Sequence, residues 1–78
     1  MEKKVLIHTR ENCIYCQNIK EWMNTHQINF EEVTVTEIKD IQLLNEIKGV
    51  PYTIVSNNGE REVIKGFNIG LLSELLLS

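Results

Sequence analysis

Short apolar runs separated by polar clusters set the layout of this chain. Val5, Leu6 and Ile7 form the first run, and the polar residues from Thr9 to Asn12 close it, so a short buried strand is predicted over Val5–His8. From Cys13 the spacing changes. Cys16, Ile19, Met23 and His26 recur at intervals of three and four, which predicts a helix from Cys13 to about Thr25 with Asn12 as its N-cap. Residues 28–35 read as a second strand, but Ile28 and Phe30 lie on one phase of the alternation and Val33 and Val35 on the other. A bulge or a late strand start accounts for such a shift.

Thr36 is placed to cap a second helix, with Glu37 and Asp40 favourable in its first turn. Ile38, Ile41, Leu44 and Ile47 give that helix a buried stripe, and Gly49 stops it. Two further strand-like runs, 51–56 and 61–65, flank Asn58-Gly59, a strong two-residue hairpin signal. Glu60, Arg61, Glu62 and Lys65 mark the last strand as a protected sheet edge. Gly66 breaks the run, and residues 68–78 close the chain as a helix. Ile69, Leu71, Leu72, Leu75 and Leu76 share its broad apolar face, with Leu77 on the polar side. The predicted order is βαβαββα, an α/β fold whose first two strands are parallel through a right-handed crossover.

At 78 residues the chain is one domain, spanning 1–78, without repeats, linkers or low-complexity segments. Eight basic and eleven acidic residues are mixed along it, giving a net charge of −3. No basic stripe is present to neutralise phosphates, which argues against nucleic-acid binding. A secretory signal needs an apolar stretch of about 7–15 residues. The first ten residues offer three, and no longer run fits a membrane span. The expectation is therefore a cytoplasmic protein with no membrane association. In a reducing cytosol, transient or metal-bound cysteines are commoner than structural disulfides.

Cys13 and Cys16 are the only cysteines. At the start of a helix, Cys13 would face the unpaired N–H groups of Ile14, Tyr15 and Cys16, and the helix dipole favours negative charge there. Such positions lower a cysteine pKa from about 8.5 towards ~3.5–7.5, and the thiolate is the nucleophile. Cys16 follows three residues later on the same face, near enough for a disulfide. Cys13 would attack a substrate disulfide and Cys16 would resolve the mixed disulfide. Other readings carry less. A staple across so short a loop constrains the unfolded chain little. A metal site needs about four ligands, and His8 and His26 stand at no zinc-finger spacing from the pair. His8 reads as a strand-end residue and His26 as one favoured near a helix C-terminus. Buried inert thiols are the remaining alternative. A CxxC pair beside a βαβ pattern favours redox chemistry.

The stretch from His8 to Cys16, then Gly49-Val50-Pro51, then Lys65-Gly66-Phe67 before a final helix, resembles the glutaredoxin family within the thioredoxin fold. The resemblance covers essentially the whole chain. It implies a four-stranded mixed sheet flanked by three helices. It further implies that Pro51 is cis and faces the cysteine pair, and that Val50 offers backbone hydrogen bonds to an extended substrate. Tyr15 matches the glutathione-using branch, whereas Ile14 stands where that branch has proline. The same branch carries a Gly-Gly pair followed by an acidic residue, and here Gly66 is followed by Phe67, Asn68, Ile69 and Gly70. The Gly66-Phe67 pair is similar instead to NrdH-type redoxins, which donate electrons to ribonucleotide reductase and are recharged by thioredoxin reductase.

The protein so implied is a small dithiol–disulfide oxidoreductase, monomeric and without a bound cofactor or metal. Its partners would be disulfide-containing proteins and a source of reducing equivalents, either thioredoxin reductase or glutathione. Cys13 and Cys16 are the candidate catalytic residues, and Arg10, Tyr15, Val50, Pro51, Gly66 and Phe67 the candidate substrate-binding ones. Arg10 favours a thiolate or an anionic ligand, and Glu11 opposes it. The missing carboxylate after Gly66, together with the bulk of Phe67, favours thioredoxin reductase over glutathione. A contrasting reading is a binding module that shares an iron–sulfur cluster or metal between two copies, suggested by the altered residue between the cysteines.

Overall fold

Alternation along β1 (Lys4–Thr9) sends Val5 and Ile7 to one face of a sheet and Leu6 to the other. A buried strand needs cover on both faces, and the helices supply it. Residues 3–77 are described by the computed structural model. After β1 come α1 (Ile14–Thr25), β2 (Glu31–Thr34), a 3₁₀ turn (Val35–Glu37), α2 (Ile41–Glu46), β3 (Tyr52–Asn57), β4 (Glu60–Lys65) and α3 (Ile69–Leu76). The sheet runs β2-β1-β3-β4. β1 and β2 are parallel and the other two pairs antiparallel, so the sheet is mixed. The expected thioredoxin-like order of four strands and three helices is the observed one.

Ile19 and Met23 of α1 and Leu72 of α3 pack with Val5, Ile7, Val55 and Ile64 over one face. On the other, Ile47, Tyr52 and Ile54 are buried, with Leu6, Val35, Ile38, Leu43 and Val50 against them. The hairpin forms as predicted. Asn58 and Gly59 both take positive φ, 54° and 84°, which suits the right-handed twist of the two strands. β4 is a sheet edge, and its charged residues Glu60, Arg61, Glu62 and Lys65 are exposed.

One local expectation is decided between its two alternatives, a late strand start rather than a bulge, and three others change. β2 starts late, at Glu31, which resolves the phase shift. Ile28 and Phe30 precede the strand and pack on the α1/α3 side, and Val35 follows it and packs under α2. Thr36 does not cap the second helix. Glu37 instead closes the 3₁₀ turn, its carboxylate accepting from Thr34 N–H at 3.3 Å and Thr34 Oγ1 at 2.8 Å. Asp40 then caps a six-residue helix by accepting from Gln42 N at 3.0 Å and Leu43 N at 3.4 Å. The later start rotates the apolar stripe. Leu43 and Ile47 face the core, while Ile41 is 71% exposed and Leu44 36%.

In α3 the inward face narrows to Leu72, Leu75 and Leu76, because the helix begins at Ile69 and leaves Ile69 and Leu71 exposed on its first turn. The third change is at α1. Its cap is Cys13, and Asn12 adopts a left-handed φ of 59° just before it. Asparagine tolerates that region better than most residues. The other end of α1 closes through Gln27, φ 57°, with Ile28 N–H donating to Met23 O at 2.8 Å and Gln27 N–H to Asn24 O at 3.1 Å. That Schellman arrangement usually uses glycine, so the sequence carried no sign of it.

The rotated α2 stripe is testable by two truncations. Ile47→Ala should cost about 2–5 kcal/mol of unfolding free energy in urea titrations. Ile41→Ala should change it by no more than about 0.5 kcal/mol. Equal losses would contradict this packing.

Candidate active site

The β1–α1–β2 crossover brings the C-terminal ends of both parallel strands to the N-terminus of α1. Arg10 and Glu11 leave β1 there, Asn12 turns the chain in its left-handed conformation, and Cys13 begins the helix. Cys13 and Cys16 are joined as a disulfide, their Cα atoms 5.2 Å apart. Cys16 is 2% exposed and Cys13 is half-buried, so the pair presents one sulfur outward and hides the other. Of the three amides expected to face the outer sulfur, Cys16 N–H donates to Cys13 Sγ, at 3.1 Å.

The opposite wall comes from the loop before β3. The Val50–Pro51 peptide bond is cis. Val50 O lies 4.0 Å from Cys13 Sγ, and Pro51 is buried. Gly66, φ 77°, ends β4 and donates its N–H to Pro51 O at 2.9 Å, which ties the last strand to this loop. The left-handed φ is the reason glycine serves at position 66. Phe67 is half-buried and packs against the α1/α3-side core. Ile14 and Tyr15 stand exposed on the first turn beside the sulfurs, at 61% and 59%. Val50 O, Ile14 and Tyr15 therefore flank the pair, and Arg10 lines a cavity with it.

That cavity, about 180 Å³, also exposes residues the sequence reading missed. Thr9, buried at the end of β1, donates its hydroxyl to Glu32 Oε2 at 2.6 Å. Lys20 Nζ lies 3.0 Å from the same oxygen. Cys16 and Lys20, four apart on α1, share a helix face, which is a signal the spacing did contain. Glu32 enters only once the register of β2 against β1 is known. The Thr9 hydrogen bond, and then the Lys20 hydrogen bond and charge, hold the Glu32 carboxyl below the usual carboxylate range. A larger cavity, about 420 Å³, opens between Lys4, Leu6, Phe30 and Ile54, and no cysteine lines it. His8 is buried near the end of β1, and its Nδ1–H donates to Val33 O at 3.2 Å. Among the described residues, no group of three or more His, Cys, Asp and Glu side chains is arranged to hold a metal ion.

Glu32 gives this site a pH signature in stability. A carboxyl whose folded pKa is depressed stabilises the fold above its unfolded pKa, and that contribution is lost as pH falls through the folded value. Thr9→Val removes the leading cause. The gap between urea midpoints at neutral and acid pH should therefore shrink in Thr9→Val, and an unchanged gap would show that the contact stabilises nothing.

With this geometry in view, residues 5–60 match the Glutaredoxin family. The glutaredoxin-like protein NrdH of Lactococcus lactis is 33% identical over 33 residues, 42% of this chain and 46% of that protein. The matched region thus spans about half the length of that curated relative. Among solved structures, the thioredoxin-like protein BC3987 superposes with a TM-score of 0.72 at 28% identity, covering 94% of this chain and 100% of that one. Methanoredoxin of Methanosarcina acetivorans gives a TM-score of 0.68 at 26% identity, over 94% of this chain and 83% of its own.

Proposed function

The chain belongs to the glutaredoxin family, and from that premise we propose that it is a thiol–disulfide oxidoreductase carrying reducing equivalents to protein disulfides. One observation carries the reading: the half-buried Cys13 sulfur is held by the first-turn amide of Cys16, with the Cys16 side chain buried directly behind it. In the reduced protein that amide and the helix N-terminus favour a thiolate at Cys13. Cys13 attacks one sulfur of a substrate disulfide, and the other leaves as a thiolate that takes a proton from solvent. Cys16, deprotonated, then attacks Cys13 Sγ. The second substrate sulfur is released and the bond seen here is formed.

The substrate segment lies along Val50, whose backbone borders the outer sulfur, with Tyr15 and Ile14 offering apolar contact. Arg10 bears on anionic groups that reach the cavity. No cofactor is needed, because electrons are stored in the pair itself. The protein works as a cytoplasmic monomer. Thioredoxin reductase is the proposed source of electrons and a ribonucleotide reductase one proposed recipient. Support for the first comes from Asn68, Ile69 and Gly70, which supply no carboxylate for the ammonium group of glutathione. One lost charge-assisted contact costs about 1.5–3 kcal/mol, tenfold or more in affinity.

Two measurements test this. Cys16→Ser should trap a mixed disulfide between Cys13 and a protein substrate, while Cys13→Ser should lose dithiol-dependent reductase activity. Retained activity in Cys13→Ser would reverse the assignment. Supplied separately with thioredoxin reductase or with glutathione and glutathione reductase, the oxidised protein should be recharged faster by the first. Faster turnover with glutathione would refute the choice of reductant.

A further inference from the structure

At the end of β1 far from the cysteine pair, the sheet face that α2 covers elsewhere is left open. Strand register defines two neighbouring rows there. Lys4, Ser56 and Arg61 stand opposite one another, and Glu31, Leu6, Ile54 and Val63 form the next row. Directly paired residues point to one side of a sheet, and Leu6 and Ile54 identify it as the α2 side. Helix α2 is only six residues long, and it covers Leu6 and Ile54 through Leu43 and the Ile47 that follows it. Among the described residues, none of α2 borders the cavity of about 420 Å³ that opens beside these rows. Leu6, Phe30 and Ile54 give it an apolar lining, with Ile54 buried and the other two half-buried. A concave apolar surface of this size with a few polar groups at its border is the usual form of a small-molecule site.

Charge at the mouth selects the ligand. Lys4 and Glu31 are exposed lining residues, and Arg61 is exposed directly opposite Ser56, which also lines the cavity. Lys3 borders it too, but its ammonium is turned to Leu75 O at the end of α3. Two cations, Lys4 and Arg61, against one carboxylate, Glu31, leave a single positive charge, which a monoanion balances. The planar guanidinium of Arg61 suits a carboxylate in particular. We propose that this cavity is a second binding site, for a small carboxylate with an apolar tail. The tail lies against Leu6, Phe30 and Ile54, and the carboxylate stays at the border with Lys4 and Arg61. There it keeps part of its hydration, which avoids the cost of a buried charge. At roughly 30 Å³ for a water-sized group, an eight-carbon acid fits within the volume. The cavity holds neither cysteine, so the proposal stands apart from the redox reading.

Octanoate is the probe, and octylammonium and octanol are the same chain with a cation or no charge. In amide NMR titrations of the oxidised protein, octanoate should shift the signals of Leu6, Phe30, Ile54 and Ser56. Saturation is expected at about millimolar concentration, in keeping with a ligand of this size. Octylammonium should bind at least about tenfold more weakly, since it loses a charge-assisted contact. Added salt should weaken octanoate and leave octanol unchanged. Lys4→Glu and Arg61→Gln alter exposed side chains, so each should keep the ligand-free spectrum of a folded protein. Each should weaken octanoate about tenfold and narrow its advantage over octylammonium. Equal affinity for octanoate and octylammonium overturns the proposal, because it marks apolar adhesion without recognition of the carboxylate. So do shifts centred on the exposed Ile14 and Tyr15 beside the cysteines, and so does a titration that never saturates.

Discussion

The hydrogen bond from Cys16 N–H to Cys13 Sγ is the contact around which this molecule is arranged. A helix leaves its first N–H groups without partners, and an oxygen-bearing side chain normally caps one of them, worth about 0.5–2 kcal/mol. Here a sulfur takes that place. In the reaction proposed above, the same amide that completes the helix would also stabilise negative charge on the reduced sulfur, so local folding and reactivity would share one donor. That economy fixes the backbone on both sides. Asn12 must turn left-handed to deliver Cys13 to the cap, and Cys16 must lie in the first turn, where its side chain points back towards the core.

The remainder of the fold holds the other wall against that sulfur. β1 is central, paired with parallel β2 on one side and antiparallel β3 on the other. Its C-terminal end and the start of β3 therefore meet at the same edge of the sheet, where Val50 O comes within 4.0 Å of Cys13 Sγ. Gly66 N–H on Pro51 O extends the tie to β4. Two small cores, one under α1 and α3 and one under α2, keep these strand ends in register. Position at the site is thus set by burial some distance from it.

Periodicity carried most of this architecture. The alternation in β1, the three-and-four spacing of α1 and the Asn58-Gly59 turn each state their element directly, because each is a local rule of one residue's conformation or face. What periodicity missed lies mainly at helix starts. Asn12, Thr36 and the first turn of α3 offered plausible caps or apolar faces, but which of several capping residues is used depends on where the preceding strand ends. That is decided by pairing with a distant segment. The late start of β2 is the clearest case, since it placed Ile28 and Val35 on opposite sides of the sheet. At the site, Cys13, Cys16, Val50 and Pro51 were reached through motif and resemblance. Thr9, Lys20 and Glu32 were not: Lys20 shares a helix face with Cys16, but its meeting with Thr9 and Glu32 depends on strand register, which no spacing along the chain records.

Charge around the outer sulfur is balanced, with Arg10 and Glu11 adjacent in sequence and Lys20 engaged by Glu32. The cap, rather than any one charged side chain, is therefore what sets the two cysteines apart. Rates of alkylation of each cysteine in the fully reduced protein, followed by mass spectrometry at neutral pH, test this directly. Cys13 should be modified first and at least about tenfold faster than Cys16, as a capped and accessible thiolate beside a buried thiol. Modification of Cys16 first, or of both at one rate, would contradict the account.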